Sequence, residues 1–144
     1  MDKVPPQSLE AEQSLLGSML LDKDAAESAL EMVAAEDFYR DAHRQIYQVV
    51  RALRRDNEDI DLTTVTDALR KTGALERVGG AAYISTLGNS VPSALHWESY
   101  AKIVLEKSKL RRVIATAQEA IAQAYDGNPI AVDTLQAGAV ELEG

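Results

Sequence analysis

The stretch that decides the fold is residues 93–125, SALHWESYAKIVLEKSKLRRVIATAQEAIAQAY. It holds no glycine or proline, it follows Pro92, and Gly127 stands just beyond its end. Ser93 is placed to cap a helix and Gly127 to stop one, so a single uninterrupted helix is expected over about 93–126. At 1.5 Å per residue such a helix is roughly 50 Å long. A compact chain of this length has a radius of gyration near ~15 Å and so a diameter around ~40 Å. The rest of the chain is therefore too small to cover it. Asn128-Pro129 offers an N-cap and an N1 proline for a closing helix over about 129–142, with Val132, Leu135, Ala139 and Leu142 at helical spacing. Gly138 counts against that helix through its propensity cost.

Working toward the N-terminus, nearly every segment also reads as helix. Ser8 can cap a first helix over about 9–21, with Leu9, Leu15, Leu16, Met19 and Leu20 on one face. Asp24 and Glu27 resemble a capping box for a short helix running to Val33. A third helix from near Asp41 to about Arg55 buries Ile46, Val49, Val50 and Leu53. After the polar turn 56–61, Leu62, Val65 and Leu69 mark a short helix that ends at Gly73. Gly79-Gly80 then reverses the chain ahead of a helix carrying Tyr83, Ile84 and Leu87. Strand-like alternation is absent. The expected fold is all-α: a head of five to six short helices over 1–92, and a protruding two-helix hairpin over 93–144. The head core is expected to contain Leu15, Leu16, Leu20, Phe38, Ile46, Val50, Leu53, Leu69 and Trp97. The chain stops at Gly144 as though its closing helix were cut from something longer.

Composition narrows the function. The chain has 144 residues, 46% hydrophobic and 26% charged, too aliphatic for disorder and without an apolar run long enough to span a membrane. It has no cysteine, which removes disulfides, thiolate nucleophiles and cysteine zinc sites, and its N-terminus lacks a signal peptide's apolar core. A cytoplasmic location is expected. A formal charge of −8 makes the chain a poor wrapper of nucleic-acid phosphates. One rival remains, a small helix-turn-helix-like DNA-binding regulator reading through the helix near Thr63–Lys71, but that helix offers only Arg70 and Lys71 as cations.

Searching for chemistry returns little. No Gly-x-x-x-x-Gly-Lys-Ser/Thr loop is present to cradle a nucleotide. The acidic run Asp56–Asp61 lacks the glycine and glutamate that a calcium loop requires at its sixth and twelfth positions. His43 and His96 have no second ligand at helical spacing and read as surface polar or capping groups. No catalytic, cofactor-binding or metal-binding residue is assigned. A local basic cluster, Lys102, Lys107, Lys109, Arg111 and Arg112, suits a partner with an acidic surface better than DNA.

The long helix carries two apolar stripes. Stepping 100° per residue, Trp97, Tyr100, Ala101 and Val104 share one direction, while Leu110, Val113, Ile114, Ala117, Ile121 and Ala124 share another. The first stripe is expected to pack on the head, the second on the closing helix and on another subunit.

A series of blocks closely resembles the opening of bacterial replicative DNA helicases of the DnaB type. Val4-Pro5-Pro6-Gln7-Ser8-Leu9-Glu10-Ala11-Glu12-Gln13 leads the series, followed by Glu36-Asp37-Phe38-Tyr39, His43-Arg44-Gln45-Ile46-Tyr47 and Ile60-Asp61-Leu62-Thr63-Thr64-Val65. Leu75-Glu76-Arg77-Val78-Gly79-Gly80, Val91-Pro92-Ser93 and Tyr100-Ala101-Lys102-Ile103-Val104 follow at the family's spacing, and the likeness covers about 4–125. After Ser93 the family usually has an alanine pair and an asparagine, where this chain reads Ala94-Leu95-His96-Trp97.

The resemblance implies a non-catalytic collar domain that serves helicase oligomerisation and primase recruitment in the primosome during DNA replication. It implies hairpin-paired dimers assembled as a trimer of dimers, with Leu110, Val113, Ile114, Ala117, Ile121, Ala124, Val132 and Leu135 in the interface. Primase is the expected partner, through Tyr83, Lys107, Arg111 and Arg112, and a helicase loader is a further one. No cofactor is expected here. The ATP and magnesium of the parent 5′–3′ DNA helicase would belong to an ATPase domain absent from this chain, and no direct nucleic-acid site or membrane contact is expected.

Overall fold

A computed structural model describes residues 3–143. Among them lie seven α-helices, one short 3-10 turn (Ala35–Asp37) and no strand. In chain order the helices are α1 (Leu9–Leu21), α2 (Lys23–Met32), α3 (Asp41–Arg55), α4 (Leu62–Lys71), α5 (Gly80–Gly88), α6 (Trp97–Tyr125) and α7 (Ile130–Glu143). The all-α reading is thereby established. Contacts gather the chain into two compact units, a head of Gln7–Leu105 and a second unit of residues 106–143 with residues 3–6. The division falls within α6, so one helix serves both units.

Local signals start most helices where the sequence puts them. Ser8 Oγ accepts the Ala11 N–H at 3.2 Å. Asp61 caps α4, its Oδ1 accepting the Thr64 N–H at 2.8 Å while Thr64 Oγ1 accepts the Asp61 N–H at 2.9 Å. Two starts differ. The cap of α2 is Asp22, whose Oδ1 accepts from Asp24 N at 2.9 Å. Only this one residue separates α1 from α2, so it closes the first helix and opens the second. Ser93 does not cap α6. Its Oγ accepts the Leu95 N–H at 3.3 Å, a local turn that competes with helix formation, and α6 begins four residues later. The helix is 29 residues long, about 44 Å rather than 50 Å.

The head core holds Leu15, Leu16, Leu20, Phe38, Ile46, Val50, Leu53 and Leu69, all buried, with Tyr47, Met19, Ile84, Leu87, Ala101 and Val104. Trp97 is not among them. It is half-buried and packs at the core's edge beside Tyr100, because α6 only begins at that residue. Tyr47 is wholly buried and donates its hydroxyl to the Val33 carbonyl, while Arg51 lies 5.2 Å from its ring centroid. Burial raises the Tyr47 pKa above its usual 10.0, partly offset by Arg51 and reinforced by Asp37 and Glu36.

Gly17 shows how tightly α1 and α5 approach. A Cβ there would stand 2.3 Å from the Leu87 carbonyl oxygen and 2.4 Å from Ser90 Oγ. Helix propensity alone favours Gly17→Ala by about 1 kcal/mol. The clash is with backbone that cannot swing aside, so the substitution should instead destabilise the head by about 1–3 kcal/mol. Thermal melting decides the sign; a rise in Tm would show that the α1–α5 spacing is looser than described.

Candidate interaction surfaces and the family of the chain

The second unit is built by small residues. Gly138 of α7 lies against Thr116 of α6, and a Cβ on it would sit 2.6 Å from Thr116 Cγ2. The helix cost of this glycine is thus offset by close packing. Thr134 Oγ1 donates to Gln123 Oε1 at 2.6 Å, Arg112 Nη1 lies 3.8 Å from Glu141 Oε1, and Ala120 is buried. The Asn128 cap holds the turn, its Oδ1 accepting from Ile130 N at 3.0 Å.

This packing corrects one expectation. The closing helix was expected on the stripe Leu110, Val113, Ile114, Ala117, Ile121 and Ala124. It packs instead on the face of α6 bearing Arg112, Thr116, Ala120 and Gln123. The reason is size: Thr116 opposite Gly138 permits an approach that leucine and isoleucine would prevent. The expected stripe is left open. Leu110, Val113, Ile114, Ile121, Val132 and Leu135 are 41–60% exposed, Ala124 is exposed and Ala117 is half-buried. These apolar side chains face solvent in the single chain.

The basic cluster is partly committed within this unit. Arg111 Nη1 donates to the Pro6 carbonyl at 2.7 Å, and Arg112 faces Glu141. Lys107 is half-buried, whereas Lys109 is exposed. Lys102, in the head unit, lies 3.4 Å from Glu98 Oε1. The cluster therefore does not form a uniformly free cationic face.

In the head, Tyr83 turns its hydroxyl inward. His43 Nε2 lies 2.6 Å from it, Gln13 Nε2 3.1 Å and Arg40 Nη1 3.3 Å. The other ring nitrogen, His43 Nδ1, lies 2.8 Å from Glu12 Oε1. Glu12 also accepts from Tyr39 N at 2.7 Å and Arg40 N at 3.3 Å. His43 and Glu12 are fully buried, which corrects the reading of His43 as a surface or capping group. The signal was present: His43 is in phase with Ile46, Tyr47 and Val50, and Glu12 with Leu15, Leu16 and Met19. A polar residue on an apolar stripe needs a partner from elsewhere in the fold. His96 by contrast is exposed.

Among the described residues no three His, Asp or Glu side chains gather as a metal site, and no helix is long and apolar enough to cross a membrane. The Gly79-Gly80 pair turns the chain into α5, whose N-terminus has no side-chain cap.

Comparison with known proteins places these features. The family model of the DnaB-like helicase N-terminal domain matches residues 4–106. The replicative DNA helicase DnaC of Bacillus subtilis is 48% identical over 116 residues, 81% of this chain and 26% of that protein. The chain thus spans about a quarter of the length of the curated relatives it matches. The crystal structure of the N-terminal domain of DnaB helicase from Mycobacterium tuberculosis superposes with a TM-score of 0.90 at 41% identity, covering 96% of this chain and 99% of that one. A second structure, of a DnaB-like replicative helicase and its interactions with primase, gives a TM-score of 0.73 at 27% identity over 94% of this chain and 31% of that one. The matched region is the non-catalytic N-terminal domain of these helicases, not the whole of them. Shared sequence blocks, shared helices and shared length together make this chain a member of the DnaB-like helicase N-terminal domain family.

Proposed function

We propose that the chain is the collar domain of a replicative helicase, associating with copies of itself through the α6–α7 stripe and recruiting primase. The observation that carries this reading is the stripe itself. Leu110, Val113, Ile114 and Ile121 on α6 and Val132 and Leu135 on α7 stay open after α7 has packed on another face. A second copy presenting the same stripe would cover it with an equivalent apolar surface, the self-complementary arrangement of a two-fold interface. Membership of a helicase family whose structural neighbour was solved for its interactions with primase supports the second role. Of the residues put forward for primase, Lys107 is the strongest on the hairpin, because Arg111 and Arg112 already hold Pro6 and Glu141. Tyr83 reaches a partner by its ring edge, not its hydroxyl.

ATP binding, magnesium and movement on DNA belong, in this reading, to the remainder of a longer helicase in the cytoplasm. The test is binding of purified primase to the chain by co-sedimentation. A complex at low micromolar concentration, weakened by Lys107→Glu and unaffected by added ATP, is expected. Failure to bind at tens of micromolar would remove primase recruitment from the account while leaving self-association to be judged separately.

A further inference from the structure

We propose that Glu12, His43 and Tyr83 act as one coupled relay that docks α5 onto α1 and α3 together, with His43 held as the neutral imidazole protonated on Nδ1. Two backbone N–H groups donate to the Glu12 oxygens, Tyr39 N at 2.7 Å and Arg40 N at 3.3 Å, and His43 Nδ1 lies 2.8 Å from Oε1. A carboxyl group held by two backbone donors is set to accept a third, so we assign the imidazole hydrogen to Nδ1. On the other side of the ring, Gln13 Nε2 and Arg40 Nη1 both donate to the Tyr83 oxygen. Those bonds occupy its two lone pairs, so the Tyr83 hydroxyl hydrogen points to His43 Nε2, 2.6 Å away. Glu12, both ring nitrogens of His43 and the Tyr83 hydroxyl are then paired in one arrangement of protons.

The arrangement spans three helices. Glu12 lies on α1, His43 on α3 and Tyr83 on α5. The carboxylate and the phenol sit on opposite nitrogens of one ring, so His43 links them directly, beside the longer contacts that Arg40 makes to both. The Tyr83 and His43 rings lie end to end and nearly parallel, with centroids 6.0 Å apart and 9° between their planes, and Arg40 covers the Tyr83 ring at 5.0 Å. Helix α5 is nine residues long, and only Ile84 and Leu87 are its large core contributions. The polar tie adds to that packing, and with Glu12 and His43 buried, loss of one member leaves another unpaired away from water. The relay therefore makes release of α5 respond to a change at Glu12, a group on a different helix.

The test combines nitrogen NMR of the imidazole with amide hydrogen exchange across α5 in Glu12→Gln, Tyr83→Phe and the double variant, each repeated with His43→Gln. On the unaltered chain the ring should show the Nδ1–H neutral tautomer, a readout that needs no variant to fold. Tyr83→Phe should speed exchange of the α5 amides at least about tenfold, with the Val50 region of α3 much less affected. The double variant should fall short of the product of the two single effects, and most of that shortfall should be lost with His43→Gln. An Nε2–H tautomer or an imidazolium, or single effects that simply multiply with His43 present, would overturn the relay.

Discussion

Phe38→Ala should lower the melting temperature of the head by roughly 12–40 °C. Phe38 is fully buried although it lies in no α-helix, and it fills the space between the 3-10 turn and α3. Its ring centroid stands 5.2 Å from that of Tyr47 and 6.5 Å from that of His43. Truncating a buried phenylalanine costs about 3–5 kcal/mol in lost transfer energy and cavity, and a domain of this size shifts by about 4–8 °C per kcal/mol. Against a total stability of about 5–15 kcal/mol this is a large fraction. The matched control is Leu95→Ala. Leu95 is 78% exposed, so its loss should change stability by no more than about 0.5 kcal/mol. A Phe38→Ala melting drop smaller than about 5 °C would show that the core closes over the cavity.

The second large effect falls on assembly. Ile114→Asp and Ile121→Asp place a carboxylate in the middle of the open stripe, at positions exposed in the single chain. The isolated chain should tolerate both, with melting temperatures near that of the parent. In a complex formed through the stripe the charge would be buried without a partner, which costs about 3 kcal/mol or more and weakens association by over about a hundredfold. Ile114→Val, which keeps the surface apolar, should associate almost as the parent does. Sedimentation and melting on the same samples separate loss of assembly from loss of fold. If both aspartate variants assemble normally, the stripe is not the contact.

How far the sequence reads as structure depends on where each determining contact lies. The helices α1, α4, α5 and α7 follow from signals within a few residues of each start: Ser8, the Asp61–Thr64 pair, the Gly79-Gly80 turn and Asn128-Pro129. The apolar periodicity of α1 and α3 likewise marks Leu15, Leu16, Ile46 and Val50 as core. Errors appear where two local options compete. Asp22 and Asp24 can both cap α2, and the extended backbone at Asp22 settles it. Ser93 can cap a helix or close a turn on itself, and it does the latter. Partners distant in sequence are the hardest part. Glu12, His43 and Tyr83 are each visible as a polar group in helical phase with core residues, but nothing local pairs α1 with α3 and α5. The face of α6 that meets α7 escaped notice for a similar reason. Periodicity ranks faces by hydrophobicity, whereas the close contact is made by Thr116 and Gly138, which small size allows.

The central claim, that the open α6–α7 stripe is a self-association surface, is tested most directly by sedimentation equilibrium of the unaltered chain from about 1 to 200 micromolar. The account predicts a mass that climbs from the single chain of 15.7 kDa to at least twice that value within this range, and that stays at the single-chain value for Ile114→Asp. A single-chain mass across the whole range would contradict it.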